Sequence, residues 1–346
     1  MKRQAAVKGV TTSITLISLA LITLHPAQAD PVEDFYKGKT ISLIIGLGEG
    51  GGYDLSARLV GQHLGRFIPG NPTIVPRNMP GAGSIAAAEF VYSVAPRDGT
   101  TLAMFQPTFV LEKISDKSRK FESEKFTYIG RADQSILVGL VWKTSPAQSI
   151  EEMKSKPIVV SANGAAGTSA TIPWALNRMI GTKMKVVLGY ESSANMGLAM
   201  ERGEADGNGS TSWDYLETKP EWLAENKIKI LYTIALERFS KIPDVPTVME
   251  LATQERDRNA LKLIASTSSI GRAILSTPNV PADRLEALRR AFDKMVKDPK
   301  FIEDAKTRRL GVDPATGEVL EKMVLDVASQ PEDVIARMNE AIKPPN

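Results

Sequence analysis

Residues 40–58 read TISLIIGLGEGGGYDLSAR, and the rest of the chain is best read outward from them. Ile41 to Ile45 is a short apolar, β-branched run of the kind that forms a strand buried on both faces. Gly46, Gly48, Gly50, Gly51 and Gly52 then remove side chains where a backbone must turn tightly or let another group approach. Leu55, Leu59, Val60 and Leu64 recur at helical spacing, with Asp54 placed to cap that helix. A strand, a glycine loop and a helix N-terminus together form an anion-binding device. Free N–H groups and the positive end of the helix dipole converge on one spot.

The run Gly46-Leu47-Gly48-Glu49-Gly50-Gly51 also satisfies the dinucleotide fingerprint G-x-G-x-x-G. That function asks for an acidic residue at the end of the second strand to hold a ribose. The second strand here ends Val75-Pro76-Arg77-Asn78, without an acid. Two further passages, Asn78–Ser84 and Gly164–Ser169, combine glycines with a candidate helix cap after a strand. In doubly wound sheets such loops lie at the carboxyl ends of the strands, where ligands bind. Two such units facing each other make a cleft floored by backbone N–H groups.

Residues 1–29 stand apart as an expected secretory leader. Lys2, Arg3 and Lys8 form a basic start, Val10 to Leu24 an apolar centre, and Ala27-Gln28-Ala29 a small-residue cleavage signal. The apolar part is shorter than the roughly 20 residues of a membrane span. The leader holds three of the 43 basic residues and no acidic ones, so the mature chain balances 40 Lys+Arg against 40 Asp+Glu. No basic surface for nucleic acid is implied. There is no cysteine, and His63 is the single histidine after the leader, which excludes the usual zinc, Cys–His and haem-attachment patterns. A Ser-His-Asp triad would have to use His63, which reads as a helix-surface residue. The expectation is a periplasmic protein of a Gram-negative bacterium with no catalytic residues, metal or cofactor.

Along the chain, strand, loop and helix alternate three times up to Phe105, which argues a mainly parallel sheet. Strands at 126–129, 136–142, 158–161, 185–188, 205–210 and 228–235, with helices between them, form a second glycine-bearing α/β unit. Residues 264–275 carry apolar side chains among Ser, Thr and Gly and have no clear period. From Pro281 the pattern is helical to the tail helix 331–342.

These motifs, in order, resemble the substrate-binding proteins of tripartite tricarboxylate transporters, the Bug receptors. The resemblance covers nearly the whole mature chain, through IIGLGEGGGYDLSARL, RNMPGAGSIAAAE, APRDGTTLAMF, FTYIGRAD, SANGAAGTSA, LGYESSANMGLAMERGEADG and IPDVPTVMEL. It implies a type II periplasmic binding protein fold: two α/β domains with a ligand cleft between them and two chain crossovers. The implied domains are 30–131 with 248–346, and 132–247, the late helices returning to the first. Residue by residue, the resemblance assigns ligand contacts to Gly48, Glu49, Gly50, Gly51, Gly52, Tyr53 and Asp54 in the first loop. Gly167, Thr168 and Ser169 stand in the facing loop. Tyr190 and Ser193 match a tyrosine and serine of the family, Gln106 and Thr108 follow the third strand, and Ser210 and Thr211 fall near an Asp-Ser pair. Glu49 stands where the family commonly has proline and Glu191 where it often has lysine. In the cleft these two would repel a carboxylate; equally, both read as solvent-facing loop acids.

The expected function is capture of a small organic anion, a carboxylate, without chemistry, by a monomer that delivers it to the membrane permease of a tripartite tricarboxylate-type transporter. The carboxylate would sit on the N–H groups of Gly50–Gly52 or Gly167–Ser169, oriented by the hydroxyls of Tyr53, Thr168, Tyr190 and Ser193. The alternatives are a receptor feeding a membrane signalling kinase and an exported dinucleotide-dependent oxidoreductase.

Overall fold

The computed structural model describes Met1 and residues 30–345; the rest of the expected leader lies outside the described residues. The strands are β1 (Thr40–Ile45), β2 (Thr73–Asn78), β3 (Thr101–Met104), β4 (Thr127–Arg131), β5 (Leu137–Trp142), β6 (Ile158–Ser161), β7 (Met184–Val187), β8 (Gly207–Ser212), β9 (Ile228–Ile234), β10 (Ala273–Ser276) and β11 (Ala315–Thr316). They form two sheets, ordered β11-β4-β10-β3-β1-β2 and β7-β6-β8-β5-β9.

β1 shows why the opening stretch becomes a central strand. Ile41, Leu43 and Ile45 point into one apolar cluster with Ala57, Val60 and Leu64 of the helix Gly52–Leu64. Ile44 points the other way, among Ile85, Ala88 and Val91 of the helix Ile85–Ser93. With helices on both faces, alternation gives way to a continuous apolar run. Each of these buried side chains contributes roughly 1.5–3 kcal/mol relative to exposure.

The sheets are mixed, where the strand-loop-helix rhythm predicts a mainly parallel one. β2, β1 and β3 are parallel, as are β7, β6 and β8. β10, however, is antiparallel to both β3 and β4, and β5 to both β8 and β9. The cause is the chain's passage between sheets. β4 leaves the first sheet at Arg131, and β10 re-enters it with Ala273 opposite that residue. β5 enters the second sheet at Leu137, and β9 leaves it at Ile234, its cross-strand partner. Strands that enter beside an exit run antiparallel to it.

Three other elements differ from expectation. Residues 255–266 form a helix, followed by a 3₁₀ turn at Thr267–Ser269 and then β10. Its charged start, ERDRN, obscures the buried stripe of Ala260, Leu261 and Ile264. His63 is buried rather than superficial: its Nε2 pairs with Asp304 Oδ2 at 2.7 Å, tying helix Gly52–Leu64 to helix Pro299–Thr307. The tail helix Glu332–Ile342 packs on helices Glu255–Ser266 and Thr168–Ile180, and Arg178 Nη1 donates to the Ala341 carbonyl at 2.7 Å. The last helix therefore touches the unit built on the second sheet, whereas helices Ala282–Met295 and Gly317–Ala328 pack on β4 of the first.

Candidate functional site

The carboxyl ends of β1, β2 and β3 face those of β6, β7 and β8, and the loops between them touch. Gly48 N–H donates to the Glu191 carbonyl at 2.8 Å. Gln106 Nε2 donates to Thr168 Oγ1 at 2.8 Å, and Gln106 Oε1 accepts from Asn163 Nδ2 at 2.9 Å. Thr108 Oγ1 donates to the Ala166 carbonyl at 3.2 Å. Deeper in, backbone meets backbone. A Cβ on Gly83 would lie 2.7 Å from Gly167 N, and one on Gly164 would lie 2.7 Å from Gly83 N. Here glycine is required by the approach of one sheet's loop to the other's, and at Gly83 also by a φ of +69°.

The touching loops leave a cavity of about 20 Å³, lined by Tyr53, Gln106, Asn163, Thr168, Ser193 and Thr211 among others. That is room for about one water molecule. The polar groups around it are neutral donors and acceptors. Thr168 Oγ1 and Ser210 Oγ share a hydrogen bond of 2.8 Å. Thr211 Oγ1 is buried at this wall with no hydrogen-bond partner. A buried hydroxyl without a partner costs about 1–3 kcal/mol, so a group from outside the protein would be welcome there.

The first loop is arranged differently from its sequence reading. The helix begins at Gly52 with Gly51 as its N-cap, and Asp54 lies inside the first turn. Asp54 reaches back instead: Oδ2 accepts from Gly50 N–H at 3.0 Å, and Oδ1 accepts from Arg58 Nε and Asn78 Nδ2, both at 2.9 Å. The helix starts early because Gly51 and Gly52 can lie against the other unit. A Cβ on Gly52 would be 2.4 Å from Ser212 Oγ. Gly50 N–H is therefore held by the loop itself. Gly167 N–H likewise donates to the Gly164 carbonyl at 3.0 Å, and Ser169 Oγ closes its own loop by donating to Asn163 Oδ1 at 2.7 Å.

Glu49 and Glu191 both face solvent. The Glu49 side chain is 80% exposed and lies 3.7 Å from Arg58 Nη2, and neither acid lines the cavity.

Of the residues singled out from sequence, Tyr53, Gln106, Thr168, Ser193 and Ser210 come together around the cavity. Gly48, Gly51, Gly52 and Gly167 form the contact surfaces beside it. Tyr190 packs in the apolar cluster of the second unit and does not line the cavity. Thr108 lies one step away against Ala166. Ser192, Met196, Ser212 and Leu137 line the wall without having been anticipated. Ser192 and Ser212 are N-caps of the helices Ser193–Glu201 and Trp213–Glu217, a capping signal present in the sequence.

Behind Tyr53 sits a buried ion cluster. Arg272, 1% exposed, pairs with Asp133 at 3.0 Å and with Asp214, and its guanidinium lies 5.7 Å from the centre of the Tyr53 ring. Tyr53 OH shares a hydrogen bond with Ser135 Oγ at 2.8 Å, and burial pushes its phenol up to about 12, so it stays protonated. Burial pushes the Asp133 carboxyl up to about 7 against the pull of Arg272, with Asp214 adding to the rise. Among the described residues no cluster of three or more His, Cys, Asp or Glu is placed to hold a metal.

Residues 57–339 match the model of the tripartite tricarboxylate transporter family receptor. A UPF0065 protein of Bordetella bronchiseptica is 24% identical over 303 residues, covering 85% of this chain and 83% of its own. The periplasmic binding protein BugD superposes with a TM-score of 0.69 at 18% identity, over 88% of this chain and 97% of its own. MatC from Rhodopseudomonas palustris, solved with bound malate, gives a TM-score of 0.66 at 19% identity, over 88% of this chain and 99% of its own. These structures share the fold: two mixed α/β sheets in the arrangement of periplasmic binding proteins.

Proposed function

This chain belongs to the receptor family of the tripartite tricarboxylate transporters, and we propose that it captures a small organic acid between its two α/β units. Its family are binding proteins, and the proposal includes no chemistry on the ligand. The units are 30–131 with 248–346, and 132–247, joined by crossovers at 132–136 and 235–247. Residues 1–29 direct the chain to the periplasm, where it acts as a monomer and hands its ligand to the membrane subunits of such a transporter.

The observation that carries this reading is the unpartnered Thr211 hydroxyl in a wall whose other polar groups are all neutral, at the carboxyl ends of facing strands. Hydroxyl and amide donors with helix N-termini hold a carboxylate without a paired cation. Helix Thr168–Ile180 begins at this wall without a side-chain cap, and its first residue, Thr168, lines the cavity. The relative that holds malate is in keeping with a ligand of this class. A cavity of about 20 Å³ admits no organic acid, so the units swing apart for entry. A ligand bridging both walls then shifts the balance toward the closed form.

A thermal-shift screen of mono-, di- and tricarboxylates with their neutral amides and simple cations tests this. At a hundredfold excess over Kd, binding adds about 2.7 kcal/mol, and the melting temperature rises by several degrees. The expected result is a rise with one class of acid and none with its amide. A rise only with amides or cations contradicts the proposal.

A further inference from the structure

A second cavity, of about 950 Å³, lies on the other side of the Arg272 cluster. Asp133 and Asp214 grip Arg272 and border this groove, while Tyr53, beneath the same guanidinium, borders the small cavity in front. The first crossover runs between the two: Ser135 bonds to Tyr53 on the front side, and Asp133, Gln134 and Ile136 line the groove. The walls belong to different units. Trp213, Leu223 and Phe239 form one side, and Ile302, Leu310 and Val312 the other. Leu223 is 37% and Ile302 44% exposed, a large apolar exposure for facing walls.

The charges around the groove are unequally engaged. Asp133 and Asp214 are held by Arg272. Glu217 is held by Lys241 and accepts from Trp213 Nε1 at 2.6 Å. Lys306 and Arg309, on the opposite wall, pair with no carboxylate among the described residues. Arg309 instead spans the groove to donate to the Glu217 carbonyl at 2.7 Å. The groove thus offers aromatic and aliphatic walls and two cations that form no ion pair, in a volume suited to a small molecule.

We propose that this groove is a second binding site, for an aromatic acid whose flat body lies between Trp213 and Ile302 and whose anionic group meets Lys306 and Arg309. It is distinct from the front site in size and in polarity. Because the walls belong to the two units and a crossover separates the cavities, rotation about the crossovers changes the width of both. An occupant of the groove therefore favours the spacing described here, in which the front loops touch.

The probe is 8-anilinonaphthalene-1-sulfonate, an aromatic anion, titrated into the full mature protein and followed by its fluorescence. Saturable binding at one site is expected. Lys306→Glu and Ile302→Glu, both exposed positions, are each expected to weaken it at least tenfold with an unchanged melting temperature. Lys183→Glu, an exposed lysine outside the groove, is expected to leave it alone. Equal dye affinity in Lys306→Glu, Ile302→Glu and the parent protein overturns the assignment, as does no saturable binding. Dye binding that appears only after a dimer dissociates, seen by sedimentation in Ile302→Glu, would show the groove covered by a second copy and also overturn it. No carboxylate substrate enters the titration, so its failure leaves the front-site reading standing.

Discussion

Asp133 shows how one residue couples the crossover to solution conditions. Two carboxylates share the buried Arg272 guanidinium, and burial pushes the Asp133 carboxyl from an ordinary 3.8 up to about 7. Between those values the folded chain holds a proton that the unfolded chain releases. Stability contributed by this group is therefore lost as pH rises from about 4 through 7. Asp133→Asn removes the titrating group. Melting temperatures of the variant, compared with the parent from pH 4.5 to 8, are expected to decline less with rising pH. Parallel curves would show that Asp133 does not titrate in this window. At the same scale, Asp54 stands in sequence where a helix cap is expected and serves instead as a three-way acceptor for Gly50, Arg58 and Asn78. A short acid near a helix start signals that it will bond a nearby N–H, but which N–H depends on how close the other unit comes to the glycines beside it.

At the scale of elements, the touching loops make a sharp expectation for Gly167. A Cβ there would lie 2.1 Å from Asn163 Oδ1 and 3.0 Å from Gln106 Oε1, at the point where the two units meet. Gly167→Asp inserts both bulk and negative charge and is expected to weaken acid binding at least tenfold by calorimetry, with both units still folded by circular dichroism. Affinity equal to the parent would take this loop out of the site. The elements that were legible in sequence share one property: their burial is local. β1, β6 and the helices from Ala282 onward carry apolar runs or stripes that any core would select. The helix Glu255–Ser266 was not legible because charged residues fill its first turn, and its buried Asp257 is satisfied by Arg337 from a helix 80 residues away at 2.6 Å. β8, reading GNGSTS, has almost no side-chain bulk and begins two residues later than the sequence suggests. Its buried hydroxyls belong to the cavity wall, which no periodicity marks.

Across the whole molecule, the order of motifs along the chain carried the two-unit arrangement, and the directions of the strands came from geometry. β10 and β5 are antiparallel to their neighbours because the chain enters each sheet beside the strand by which it leaves. The tail helix, held to the second unit by Arg178 and to the first by Asn339 Nδ2 donating to the Ile114 carbonyl at 3.3 Å, adds a tie that no local pattern reveals. Glu49 and Glu191, one from each unit, are exposed at the rim of the contact and do not line the front cavity. What remains inside is a neutral wall with one unpartnered hydroxyl, and the central claim can be tested on that group. Thr211→Val keeps the shape and removes the hydroxyl. Calorimetric titration of the acid selected by the screen into parent and variant is the direct measurement. A loss of affinity of about tenfold is expected, the equivalent of roughly 1.4 kcal/mol for one hydrogen bond to a charged group. Equal affinity in the two proteins would contradict the account of the site.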